Sequence, residues 1–410
     1  MRAIASQVPS CDFEVGAEPI IRSLRSALSA LITGIPNFTY NRPNDLALEL
    51  GLDPKLAWNV GRSVEAADPF ASARFIPGPA GIRTLLRAAK RRGVPSEILD
   101  GARISFDAFC ELVHKHAGSR KHFNMLAAGM ARKDCARSDI EHRRMLFDGN
   151  TYLWGVQAGT IFRTCIVIPS QDADTWDVAT IRGFIDFSRM RPNVTWRISQ
   201  PMSVDGHHNI RLDVSTRALD PSADGPLPLL TQYCTKPVPR FRSVIGALGV
   251  PEFEFIESSV GNTARINFIT AELLRCVEPR RRTTSYADFC VSFSVRTPAK
   301  MLVFDLLRHR DSFQGSSPPI AELYGDLFGG GPALRYNEAN RLPLHESISF
   351  VGAGTDTPFT PDIPKYSEML RFALQQIGYD SAAFDLYRFH MRYPPLPTTL
   401  MLRTPLPETG

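Results

Sequence analysis

Along the first part of the chain, apolar residues recur every three or four positions, the spacing of an amphipathic helix. Ile20, Ile21, Leu24, Leu28, Leu31 and Ile32 predict a helix over 17–33, stopped by Gly34-Ile35-Pro36-Asn37, after a flexible tail at 1–16. Two short helices follow. Leu46, Ala47 and Leu50 mark the first, opened by Pro43 and Asn44; Leu56, Ala57 and Val60 mark the second, opened by Asp53 and Pro54. Gly51 between them suits a left-handed break. Ile82, Leu85, Leu86 and Ala89 predict a helix over 81–92, and further helices are expected over 96–117, around 122–129 and over 138–157.

Near Phe162 the pattern changes. FRTCIVIP (162–169) is a β-branched run, and the segments 264–275, 288–297, 300–309, 346–354 and 383–394 also read as strands. Pro298-Ala299 reads as a hairpin turn between two of them. Residues 364–377 return to helical spacing, and flexible loops are expected at 201–208, 220–227, 311–319, 355–361 and after Arg403. The pattern predicts an α+β protein: a helical domain over 17–160, then an α+β domain over 161–404 with a mainly antiparallel sheet.

The stretch Arg42–Val64, RPNDLALELGLDPKLAWNVGRSV, places Leu46, Ala47, Leu50, Gly51, Leu52 and Val60 in the order apolar, small, apolar, glycine, apolar, apolar. It resembles the helix-turn-helix of DNA-binding transcriptional regulators over residues 42–64 alone, with the helix at 17–33 as the third member of such a module. The resemblance implies that the second helix meets DNA through Lys55, Trp58, Asn59 and Arg62. Lys55, Asn59 and Arg62 are spaced by four and three, so they share a face. Asn59 can pair with adenine, and Lys55 and Arg62 can reach guanine or phosphate. Trp58 either borders that face or packs beneath it, and Asp53 would repel phosphate. A helical hairpin that only packs fits the same pattern.

Charge adds to this picture. The net charge is +5, and residues 1–150 hold 21 of the 47 Lys+Arg and 16 of the 42 Asp+Glu, so the whole surplus lies there. That favours a polyanion partner. Arg83, Arg87 and Arg91, with Lys90 and Arg92, fall on the polar side of the 81–92 helix, as a stripe for DNA phosphates or as a solvated face.

Candidate chemistry is sparse. A hydrophobic content of 43% and a charged content of 22% are those of a soluble globular chain. No apolar run suits a membrane span or an export signal, so the expected compartment is the cytoplasm. The seven cysteines are scattered, odd in number and without CxxC, which argues against a disulfide scaffold or a cysteine zinc finger. Neither a GxxxxGK[ST] loop nor a GxSxG elbow occurs. Gly329-Gly330-Gly331 reads as a flexible turn, His207-His208 as an exposed pair, and His345-Glu346 lacks a second histidine. Cys110, His114, His116 and His122 come nearest to a ligand set, but only the first two share a helix face, so no metal and no cofactor are expected. Arg280-Arg281-Arg282 is an exposed turn or a grip for phosphate or carboxylate.

The leading expectation is a DNA-binding transcriptional regulator whose C-terminal half senses a ligand, dimerises or binds a partner. The residues leave two alternatives open: an enzyme or ligand-binding protein built on the C-terminal half, and a protein–protein adaptor.

Overall fold

The computed structural model describes residues 12–130, 135–171, 174–199, 203–204, 210–211, 215–223, 225–246, 251–256, 259–284, 286–313, 315–325, 338–354 and 358–407. His207-His208 and Gly329-Gly330-Gly331 lie outside them. The chain folds as two compact units, 1–139 and 140–410. The division falls within a helix, ahead of the change of pattern near Phe162.

The helices of the first unit are α1 (Asp12–Thr33), α2 (Pro43–Leu50), α3 (Pro54–Glu65), α4 (Pro69–Ala73), α5 (Pro79–Arg91), α6 (Ser96–Ala117) and α7 (Arg120–Met130); α8 (Cys135–Trp154) follows. α1 begins at Asp12, so the expected tail is shorter than sixteen residues. The apolar stripes of α1 to α7 converge on one core in which Ile21, Leu24, Leu46, Val60, Leu85 and Phe109 are fully buried. α8 stops at Gly155, which takes a positive φ of 67°, so the chain turns into a strand at Val156.

The strands are, in chain order, β1 (Val156–Pro169), β2 (Trp176–Arg189), β3 (Arg197–Ser199), β4 (Ser203–Val204), β5 (Ile210–Arg211), β6 (Thr216–Ala218), β7 (Phe241–Ile245), β8 (Pro251–Phe255), β9 (Ile266–Leu274), β10 (Asp288–Val295), β11 (Ala299–His309), β12 (Ile320–Gly325), β13 (Arg341–Leu342), β14 (Ser349–Ala353), β15 (Phe384–Arg392) and β16 (Thr398–Pro405). One further helix, α9 (Tyr366–Ile377), precedes β15. The main sheet runs β14-β15-β11-β1-β2-β9-β6, and a second sheet runs β10-β16-β12-β13. Among the described residues β1–β11 is the one parallel ladder. The protein is thus α+β, with helices gathered toward its start and mainly antiparallel sheets after them.

The main sheet is covered on both faces. On β1, Phe162, Ile166 and Ile168 pack toward α9, while Ile161, Cys165 and Val167 pack toward the second sheet. Alternate side chains point to opposite faces, so burial of both makes the strand read as a continuous apolar run.

The expected hairpin through Pro298-Ala299 does not form. β10 pairs with β16, whereas β11 pairs with β1 and β15. β11 is apolar on both faces and fills the middle of the main sheet, so the chain at Pro298 crosses between stacked sheets. The expected loose end after Arg403 is also corrected: β16 continues to Pro405, and Leu406 is buried.

Candidate nucleic-acid interface

α2 and α3 are joined by Gly51, Leu52 and Asp53 alone. Gly51 takes φ 61° and ends α2, and the Leu52 amide donates to the Ala47 carbonyl at 2.9 Å. Asp53 caps α3: its Oδ1 accepts from the amides of Lys55 at 2.9 Å and Leu56 at 3.2 Å. That carboxylate occupies the helix N-terminus, so the free amides that attract phosphate elsewhere are already engaged.

The other end of α3 is held from α1. Arg25 donates to the carbonyls of Ser63 at 3.0 Å, Val64 at 3.1 Å and Ala66. A cation at a helix C-terminus satisfies carbonyls that have no intrahelical partner. Burial lowers the pKa of Arg25 below its ordinary value, and Arg22 lowers it further. Gly61 lets α3 press close to the segment before α2: a Cβ there would sit 2.8 Å from Pro43 Cγ and closer still to the Tyr40 hydroxyl. That hydroxyl donates to Glu65 at 2.7 Å, and its pKa is raised by burial and by that hydrogen bond.

What remains free is one side of α3. Ala57, Val60, Gly61 and Ser63 are buried. Lys55 is exposed, Trp58 is 48% exposed, and Arg62 and Asn59 are half-exposed. At 100° per residue, Lys55 and Arg62 lie at the middle of the solvent face, with Asn59 on one margin and Trp58 on the other. Trp58 thus borders the face of Lys55, Asn59 and Arg62 and does not pack beneath it. The Trp58 ring meets Phe75 edge-on at 5.3 Å and 87°. The guanidinium of Arg74 lies 4.7 Å from the Phe75 ring and that of Arg62 5.6 Å. Phe75 and Arg74 have no signal in the local sequence, because only the return of the chain after α4 brings them beside α3.

α5 touches both helices of the turn. Gly81 leaves room for Leu56 of α3, and Arg92 pairs with Glu49 of α2. Ile82, Leu85, Ala88 and Ala89 face inward. Arg83, Arg87 and Arg91 are exposed, and among the described residues none has a carboxylate within 4 Å. Arg87 instead donates to the Arg83 carbonyl at 3.3 Å. No family model, curated protein or solved structure gives a significant match to this chain.

The remaining candidates are dispersed. Cys110 is half-buried, and burial raises its thiol pKa, while His116 stands edge-on to Phe13 at 5.4 Å. Among the described residues no group of three His, Cys, Asp or Glu side chains could hold a metal. The arginine run is not uniformly solvated: the Arg280 guanidinium lies 5.0 Å from the Trp176 ring, while Arg281 and Arg282 are exposed. Glu346 is engaged by Arg143 of α8 at 2.5 Å. Among the described residues, no helix is long and apolar enough to cross a membrane.

Proposed function

We propose that this chain is a duplex-DNA-binding transcriptional regulator, acting in the cytoplasm, in which α3 enters the major groove and α5 tracks phosphates. The observation that carries the reading is a helix held rigidly at both ends, by Asp53 and Arg25, with Lys55, Trp58 and Arg62 left to solvent. A base reader needs this kind of rigid presentation. The exposed arginines of α5 supply charge without sequence information, as phosphate contacts do. The second unit serves sensing, dimerisation or partner binding.

A second reading is favoured by the Trp58–Phe75 pair with its two arginines, since tryptophan and arginine are the residues most enriched at protein–protein hot spots. In that case the same face meets another protein. A salt titration of duplex binding by the full chain separates the two. The DNA reading expects binding that weakens steeply with salt, and Arg62→Ala then costs roughly 1–3 kcal/mol on a preferred site but little on random duplex. Asn59→Ala has a smaller effect. If the wild-type chain binds no duplex at low salt, the DNA reading is abandoned for the adaptor.

A further inference from the structure

The end of β11 and the start of β15 border a cavity of about 580 Å³, a volume in the range of small-molecule sites. Its walls come from the turn after β11 and the segment before β15, and its lining includes Arg308, Arg310, Asp311, Phe313, Asp385 and Tyr387. Arg308 is only 2% exposed. Its Nη1 donates to the Ser317 carbonyl at 2.9 Å and its Nη2 to the Tyr387 hydroxyl at 2.7 Å. Its guanidinium lies 5.2 Å from the Phe313 ring and 4.5 Å from the Tyr387 ring. Nε is buried with no hydrogen-bond partner. Among the described residues no carboxylate comes within 4 Å of it, although Asp385 is its direct cross-strand neighbour. The Asp385 carboxylate turns to Arg310 instead, at 3.7 Å from Nε, and Arg310 also donates to the Ala382 carbonyl at 3.3 Å.

A buried cation without a counter-charge is costly, and two aromatic faces and two neutral acceptors offset only part of that cost. The missing component is an anion. A guanidinium fork matches the paired oxygens of a carboxylate or phosphate, and Arg310 at the rim adds a second cation that can leave Asp385 for a ligand. We infer that this cavity binds a small molecule through an oxyanion, a phosphate or a carboxylate, held by Arg308 and Arg310. The site lies wholly in the second unit and is independent of the DNA reading.

The test is a calorimetric titration of the full chain with inorganic phosphate and, separately, with acetate, at constant ionic strength balanced with chloride. Saturable binding is expected. Arg308→Lys keeps the charge but loses the fork, and weakens binding roughly tenfold. Asp385→Asn removes a nearby like charge and frees Arg310, and tightens binding roughly three- to tenfold. Saturation with phosphate assigns a phosphate-bearing ligand; saturation with acetate alone assigns a carboxylate. Should Arg308→Lys fail to fold, Arg310→Ala takes its place, with loss of affinity expected. No saturation by either anion in wild type and in Asp385→Asn overturns the inference, and so does binding that Asp385→Asn leaves unchanged.

Discussion

In the helical unit, the arginines that enter the core donate to backbone carbonyls: Arg25 to the end of α3, and Arg120 to Ala73 and, at 2.9 Å, to Ile76, beyond α4. In the second unit Arg388 and Arg403 donate to carboxylates, while Arg163 and Arg189 donate to the carbonyls of Ser292 and, at 2.7 Å, Phe255. Arg388 makes a fork with Asp305 at 2.8 and 2.7 Å, and Arg403 spans Asp288 at 3.2 Å and Glu322 at 3.0 Å. The difference follows from the backbone. Every helix ends in carbonyls without intrahelical partners, so a cation finds acceptors there. Carbonyls in mid-sheet are consumed by the ladders, so a buried cation turns to a side-chain anion or to a carbonyl at a sheet edge or strand end. Arg308 is deeply buried in the sheet unit without a carboxylate partner, and it lines a cavity.

Around Asp305 the consequences are electrostatic. Tyr366 of α9 donates to Asp305 Oδ2, and Thr164 of β1 lies 2.9 Å from the Tyr366 hydroxyl. Burial and then the Asp305 charge push the Tyr366 pKa well above its usual 10.0. Burial lowers the Arg388 pKa, but the Asp305 hydrogen bonds and charge outweigh it, so the net shift is upward. Between the two sheets burial pulls Arg182 down to about 10, while its partner Glu272, at 3.5 Å, is raised by burial.

The largest test of the contrast is Arg388→Ala. It strands the Asp305 carboxylate, 0% exposed, and is expected to cost about 3–5 kcal/mol in urea unfolding. Arg25→Ala leaves only neutral carbonyls unpaired, and about 1–2 kcal/mol is expected. Equal losses in the two variants would break the comparison. A pH series sharpens it further. Below pH 10 Tyr366 is protonated folded or unfolded, so its contribution is complete. Above 10 the unfolded chain releases the proton while the folded chain holds it, and stability falls by about 1.4 kcal/mol per pH unit. Tyr366→Phe should shallow that alkaline limb by one proton, and an unchanged slope would count against the buried phenol. The smallest effect is expected for Arg87→Ala with Arg91→Ala, within about 0.5 kcal/mol of wild-type stability. If α5 tracks phosphates, the same pair makes the salt dependence of duplex binding shallower by up to about two units.

The pair of short helices α2 and α3 was legible because its signals are local. Pro43, Gly51, Asp53 and Pro54 act on backbone within one turn of themselves, and the structure places each at the helix end its chemistry favours. β2 was not legible. Its Asp177, Thr180 and Arg182 interrupt any apolar alternation, yet Asp177 and Thr180 are buried and Arg182 nearly so. Asp177 accepts from Arg275 at 2.8 Å and from the Cys276 amide at 3.0 Å, and Arg182 donates to Thr270 at 3.2 Å. Partners nearly a hundred residues away make those polar positions interior, and a window along the chain cannot see them.

The amino-acid sequence by itself determined where α2 and α3 start and stop, the placement of the cationic surplus in the first part of the chain, and the α+β class, because propensity, capping and periodicity are short-range. Tertiary structure alone decided that Trp58 rests on Phe75, that β10 and β11 enter different sheets, and that Arg308 is buried without a counter-ion. These depend on what packs against each element, and packing is set by the shape and charge of segments distant along the chain.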